Sequence, residues 1–311
     1  MVSGTRAGFA QTLRQMAKVW QLYALIALPL AYIVIFKYGP MYGAQIAFKD
    51  FSVTRGILGS GWVGFEHFER FFRSYEFGRI LRNTVGLSLY SLLAGFPLPI
   101  IFALSLNYAG KRLFKKSVQM ITFAPYFISV VVLAGIILQF LAMRTGIVNL
   151  IIGWLGFEHV NFMGTPGYFK TIYVVSEIWQ TIGFNCVIYI AALAGIDPSQ
   201  HEAAIVDGAS KLQRILYVDL PGILPIAVTL FILNTGHVLD IGFEKVLLLQ
   251  NPLNLRTSEV IDTYVYKQGL TAMVPQYDYT AAIGLFKSVI GLALLLTVNK
   301  VAKKIGQTGL W

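Results

Sequence analysis

Six runs of mostly apolar residues dominate this chain, at approximately 20–38, 83–108, 117–142, 170–194, 221–241 and 280–301. Each is near the roughly 20 residues that a helix needs to cross a bilayer. Lipid offers the backbone no hydrogen-bond partners, so every N–H and C=O in such a segment must be satisfied within it. Few folds remain open to a chain of this kind. The expectation is an all-α integral membrane protein of six transmembrane helices. Composition agrees: 56% of the 311 residues are hydrophobic and 13% charged, whereas a soluble domain is about 25% charged.

The net charge of +10 is explained by topology. Arg6, Arg14 and Lys18 precede the first run, and Lys111, Arg112, Lys115 and Lys116 follow the second. Lys211 and Arg214 follow the fourth, and Lys300, Lys303 and Lys304 close the sixth. Counting crossings puts all of these on one side, which by the positive-inside rule is the cytoplasm, with both termini inside. Short basic runs beside apolar stretches do not make a nucleic-acid surface. The single cysteine, Cys186, excludes an internal disulfide. The first run has no small-residue cleavage site after it, so a retained span is expected. Residues 1–19 read as an interfacial segment, with Phe9, Leu13 and Met16 set against Arg14 and Lys18 in amphipathic spacing. Residues 20–311 read as one transmembrane domain. The loop at about 39–82 carries Trp62, Phe65, Phe68, Phe71 and Phe72, too apolar for a tether, and is expected to pack on the helix ends or on a partner.

Between the fourth and fifth runs, residues 197–221 form a polar island. Asp197-Pro198-Ser199 stops one helix and starts another, since proline disfavours helix in the residue before it and fits a first helical turn. Glu202 is expected near the positive end of a short new helix. Ala203 and Ala204 allow close approach by another surface, and Asp207-Gly208-Ala209 permits a sharp bend. A second helix is expected from Ala209 to about Val218, with Leu220-Pro221 opening the next span. The result is a helix–bend–helix on the cytoplasmic face, too short and charged to span.

This pattern, Glu202-Ala203-Ala204, three residues, Gly208, then Val218-Asp219-Leu220-Pro221, resembles the EAA motif of binding-protein-dependent ABC importer permeases of type I. Val218 stands where that family usually has Ile. Tyr42 to Phe51, Trp62-Val63-Gly64-Phe65, Ala192 to Pro198, Gly242 to Val246, Gln250-Asn251-Pro252, Tyr264 to Gly269 and Ala281 to Phe286 resemble its carbohydrate branch, the lipo-oligosaccharide and polysaccharide (alginate-type) permeases. The resemblance implies a multi-pass permease of the bacterial inner membrane, paired with a second homologous permease. It also implies two ATP-binding subunits and an extracytoplasmic solute-binding protein that delivers an oligosaccharide or polysaccharide. Glu202, Ala203, Ala204, Asp207, Gly208 and Ala209 would form the coupling helix that docks on the ATPase. ATP and Mg are expected on that partner, and no cofactor or metal on this chain.

The residues are consistent with a non-enzymatic role. A P-loop needs G-x-x-x-x-G-K-[ST] so that backbone amides cradle phosphate; Gly110-Lys111-Arg112 lacks the hydroxyl residue and the upstream glycine. His67, His159, His201 and His237 are scattered. Polar groups at membrane depth usually face a bundle interior or water, which makes Asn83, Tyr90, Gln139, Glu177, Trp179, Gln180, Asn185 and Tyr189 candidates for a substrate pathway. Asn234, His237 and Asp240 recur at three-residue steps and are expected to share a helical face. Lys287 is placed to pair with an acid or meet an anionic sugar, and Glu244-Lys245 reads as structural. Interhelical hydrogen bonding is the competing role for each of these polar residues. An acidic sugar such as alginate or pectin fragments suits a positive chain. A second class, an ion-coupled secondary sugar transporter using Glu177 and Asp240, leaves the polar island unexplained.

Overall fold

The computed structural model describes residues 16, 18–304, 306 and 309, so most of the Phe9–Lys18 segment lies outside the described residues. Among the described residues, five helical stretches are long and apolar enough to cross a membrane: Trp20–Phe48, Phe77–Tyr108, Pro166–Ala194, Lys211–Gly236 and Tyr277–Lys304. The expected third span is not continuous. Arg112–Phe127 and Val130–Phe140 meet at 101°. Pro125, which has no backbone N–H, lies in a 3-10 turn that ends in extended backbone at Ile128 and Ser129. Ser129 then caps a new helix by accepting from the Val132 N–H at 3.4 Å. The run 117–142 is therefore a bent pair, not one straight crossing.

We label the helices in chain order: α1 (Trp20–Ile33), α2 (Glu66–Arg73), α3 (Phe77–Gly95), α4 (Pro97–Tyr108), α5 (Arg112–Phe123) and α6 (Val130–Phe140). They continue with α7 (Ile147–Trp154), α8 (Phe169–Ala194), α9 (Pro198–Val206), α10 (Lys211–Arg214) and α11 (Leu220–Gly236). The last are α12 (Phe243–Leu249), α13 (Leu255–Ser258), α14 (Ile261–Tyr266) and α15 (Tyr277–Lys304).

Helix α8 is the hub of the bundle. Its first half buries Phe169, Tyr173 and Val174 against Leu87 of α3, Leu133 and Ile137 of α6, and Val246 and Leu249 of α12. Its second half buries Cys186, Tyr189 and Leu193 against Ala103 and Leu104 of α4 and Ile223 and Ala227 of α11. Against α5 the approach is closer still. A Cβ on Gly183 would lie 2.1 Å from the Thr122 carbonyl oxygen, so only glycine admits this contact. By contrast, α1 buries none of its residues within the chain.

The aromatic loop packs on the bundle, as its composition demands. Phe71 is buried with Tyr279 and Ile283 of α15, and Phe72 meets the Phe286 ring at 5.3 Å. The strands β1 (Lys49–Asp50) and β2 (Gly61–Trp62) pair antiparallel with Lys49 opposite Trp62. His67 Nε2 contacts the Lys49 carbonyl at 3.0 Å and lies 3.6 Å from Asp278 at the start of α15. Asn254, at the start of α13, is fully buried. Its Nδ2 donates to the Met163 and Leu249 carbonyls, which fastens α12 and α13 to the segment before α8.

Candidate functional site

The polar island folds into two helices joined by a turn whose every backbone requirement is met locally. Asp197 is extended and its side chain accepts the Ser199 N–H at 2.9 Å, with Pro198 at the first helical position. That backbone N–H holds the Asp197 carboxyl below the usual carboxylate range. At the other end of α9, Ala209 N–H donates to the Ala204 carbonyl and Gly208 N–H to that of Ile205. This is a Schellman closure, which needs a left-handed residue, and Gly208 supplies it with φ +75°. Ser210 and Gln213 then exchange a capping box that starts α10.

Two expectations are corrected here. The first turn of α9 holds no acidic residue; Glu202 lies in the second turn, and the capping carboxylate is Asp197. The second helix does not end near Val218: it starts at Lys211 as α10 and passes through a π-turn over Ile215–Asp219 straight into α11, so Lys211–Gly236 is one continuous helical stretch. Asp219 ends that turn with its side chain buried.

The motif residues face out. Glu202, Ala203, Asp207 and Gly208 are exposed, while Ala204 and Ala209 are half-buried. Beside them Ile205 is exposed, and Val206 is 86% exposed. An apolar and acidic surface of small residues on a rigid, capped turn can receive a complementary surface of another protein. Beneath it, Asp219 is fully buried. Its Oδ2 accepts from Tyr108 Oη at 2.6 Å, and its Oδ1 faces His201 Nε2 at 3.3 Å.

Among the described residues, two cavities lie between the helices. The larger, about 920 Å³, lies between the α3–α4 junction, α5, α8 and α11. Phe96, Phe123, Phe184 and Tyr189 give it an aromatic wall, Asn185 and Asn234 give amides, and Lys116 is its charged lining residue. The Tyr126 ring stacks on Phe184 with centroids 3.9 Å apart. The smaller cavity, about 280 Å³, is polar. Gly95, Phe96, Asn185 and Asn234 line both, so the two are contiguous.

Of the pathway candidates, Glu177, Asn185, Asn234, His237 and Asp240 converge on the smaller cavity, and Asn185, Tyr189 and Asn234 line the larger. The grouping of the last three has a different cause from the one expected. Helix α11 stops at Gly236, so Asn234, His237 and Asp240 share no helical face; the turn after α11 folds His237 and Asp240 back to the cavity. Asn83, Tyr90, Gln139, Trp179 and Gln180 line neither cavity. Asn83 Nδ2 donates to the Arg256 and Glu259 carbonyls, and Gln180 Nε2 to the Ile128 carbonyl at the bend of the third span. Sequence reasoning missed Ser88, Ser91, Thr181, Lys116 and Gln119 as lining residues. Ser91 was legible: its Oγ donates to Glu177 at 3.0 Å, and a serine three residues after Ser88 in an apolar run marks one helical face.

The acids in this region are paired. Asp240 meets His237 at 3.1 Å and Lys287 at 2.6 Å. Lys245, expected to be structural, is buried and donates to the Tyr173 carbonyl at 3.0 Å. Burial pushes its ammonium down to about 8, with Glu177 opposing the shift.

Residues 95–307 match the family of binding-protein-dependent transport system inner membrane components. The chain is 41% identical to Protein LplB of Bacillus subtilis (strain 168) over 93% of its own length and 91% of that protein's. It is 40% identical to the polygalacturonan/rhamnogalacturonan transport system permease protein YteP of the same organism, over 93% and 90%. Among solved structures it is similar to a chain of a bacterial ABC transporter that imports the acidic polysaccharide alginate. The TM-score is 0.88 with 38% identity, covering 95% of this chain and 99% of that one. The same transporter in complex with an alginate pentasaccharide-bound periplasmic protein also gives 0.88 and 38%, covering 96% and 99%.

Proposed function

The chain belongs to the family of binding-protein-dependent transport system inner membrane components, and on that premise we propose how this sugar-importer permease works. It is a multi-pass subunit without ATPase machinery of its own. A separate pair of ATP-binding subunits, carrying ATP and Mg, drives it, and a second homologous permease completes the membrane gate. The end of the bundle that carries α9 and α10 faces the cytoplasm, consistent with Lys111, Arg112, Lys211 and Arg214 near that end. A solute-binding protein delivers sugar at the opposite face. The apolar face of α1, uncovered within this chain, meets lipid and the second permease.

The observation that carries the reading is the exposed face of α9 and its glycine turn. Everything needed to hold that loop rigid is internal, including the Asp207 N–H to the Ala203 carbonyl, yet the side chains of Glu202, Ala203 and Asp207 take no part in it. Such a surface is built for a partner. ATP-driven closure of the partner subunits moves α9, and the helices attached to it open and close the two contiguous cavities in turn. Asn185 and Asn234 lie where these cavities join, and there they bond sugar hydroxyls while Phe96 and Tyr189 stack on pyranose rings. Glu177, His237 and Asp240 form the polar mouth of the smaller cavity.

The substrate is an oligosaccharide bearing carboxylates. Support comes from the relatives that carry alginate and polygalacturonan, and from Lys116 as the charged lining residue of the larger cavity. The test is ATP hydrolysis by the assembled, reconstituted transporter, stimulated by binding protein loaded with uronate oligosaccharides or with neutral glucans. Stimulation by uronates and not by glucans is expected; equal stimulation removes the acidic preference. Glu202→Ala and Gly208→Asp are expected to insert normally and lose that stimulation. Full stimulation in both variants would end the docking role.

A further inference from the structure

Resting on the reading of α9 as the ATPase-docking element, we propose that Asp219, Tyr108 and His201 form a latch. It makes α9 move as one body with the ends of the second and fifth spans.

Asp219 is a carboxylate with 0% exposure. A buried anion is tolerated only while its partners hold it, and removing one is far more damaging than never having placed the charge there. Its partners come from two elements, and it stands on a third. Tyr108, the last residue of α4, donates its hydroxyl to Oδ2 at 2.6 Å. His201, on α9 and directly before Glu202, presents Nε2 to Oδ1 at 3.3 Å. Asp219 itself ends the π-turn that feeds α11, and single π-turns inside helices concentrate at functional positions. From the other half of the loop, the Arg214 guanidinium lies 5.6 Å over the Tyr108 ring. Both helices of the island therefore grip the same pair.

An apolar cluster would fasten α9 to the bundle with no desolvation penalty, but it could slide. The Tyr108 bond to Oδ2 is directional, and His201 Nε2 is the polar group set against Oδ1, which has no hydrogen bond of its own: shifting α9 by an ångström takes that group away from a buried oxygen. Displacement of α9 by the ATPase is therefore passed to α4 and α11 and not absorbed at the joint. Phe96 and Pro99, near the start of α4, line the larger cavity, as do Leu230 and Asn234 of α11. The latch thus ties the docking surface to two walls of the substrate space. His201, Asp219 and Tyr108 are positioning residues; none is placed to touch sugar or nucleotide.

The experiment measures distances by spin labels at Val206 and Ile101, exposed positions on α9 and α4, in a Cys186→Ala background. The assembled transporter is compared nucleotide-free and trapped with ATP on a hydrolysis-deficient ATPase subunit. In the parent the two labels keep one narrow distance in both states, because α9 and α4 travel together. In Tyr108→Phe, His201→Ala and Asp219→Asn the ATP-trapped distance shifts or broadens, and binding-protein stimulation of ATPase falls by about fivefold, the low end of typical coupling between sites. His201→Gln, which restores a donor, recovers the narrow distance. If Asp219→Asn fails to fold, Tyr108→Phe and His201→Ala decide alone. Distances in these variants equal to the parent's, with Val206→Cys still cross-linking to the ATPase, overturn the latch and leave docking intact. Loss of that cross-link in the parent would instead refute docking, and the latch with it.

Discussion

Lys287 Nζ lies 2.6 Å from Asp240 Oδ1, so an ammonium on α15 holds the turn that leaves α11. The same ammonium lies 2.5 Å from Asp262 on α14. One cation thus joins three elements at Asp240, a lining residue of the smaller cavity.

Replacing that cation by methionine leaves two carboxylates facing each other. Asp240 is half exposed and tolerates the loss, but Asp262 and Lys287 are largely covered. A loss of about 2 kcal/mol is expected, between the near-zero worth of exposed pairs and the ~3–5 kcal/mol of breaking a buried one. Thermal unfolding in detergent of Lys287→Met and Lys287→Arg checks this, with arginine expected to stay near the parent.

Asn83 and Asn234 separate structural from pathway roles. Asn83→Leu deprives the Arg256 and Glu259 carbonyls of their donor, and leaving the buried acceptor at Glu259 unpaired costs about 1–3 kcal/mol. We expect a lower melting temperature with sugar preference unchanged. Asn234 is exposed on the wall of both cavities. Asn234→Ala is expected to keep stability and to lower sugar-dependent transport, measured in the same reconstituted system.

Gly183 sets the spacing of α5 and α8. With the Thr122 carbonyl 2.1 Å from where a Cβ would stand, Gly183→Ala must push two backbones apart. Overpacking of this kind typically costs about 1–3 kcal/mol. The larger cavity lies between these helices, so transport is expected to fall further than stability, and Gly183→Leu to block assembly. Melting curves and uptake rates measured on the same preparations test it.

Lys245 gives stability a pH dependence of known sign. Its pKa is pushed down to about 8 in the folded chain, against an ordinary value of 10.5. Between those values the unfolded chain binds more protons than the folded one, so stability rises with pH. The penalty of burying the ammonium is fully present below pH 8 and is relieved as pH climbs toward 10.5. Denaturation in detergent from pH 7.5 to 10 is expected to show this rise in the parent and a flatter profile in Lys245→Met.

Much of this was legible in the chain, and the remainder has identifiable causes. Apolar length revealed the spans, because a bilayer enforces length. The turn at Gly208 could be read because a left-handed residue after a short helix has a chemical signature. The break at Ala124–Ser129 was masked by continuous hydropathy, although Pro125 and Ser129 carried its signal. Asp219 looked like a filler position before Leu220-Pro221, since nothing local marks a carboxylate as fully buried. Asn83 and Asn185 look alike in sequence; only packing decides that one bonds a neighbouring loop and the other faces a cavity.

The central claim is that the exposed face of α9 docks on an ATP-hydrolysing subunit. Its most direct test is a cysteine at Val206 in a Cys186→Ala background, cross-linked in native membranes to single cysteines introduced on the ATPase subunit. The account predicts a cross-linked pair whose yield changes between the nucleotide-free and ATP-trapped states. No cross-link in either state, in a complex that still imports sugar, would contradict it.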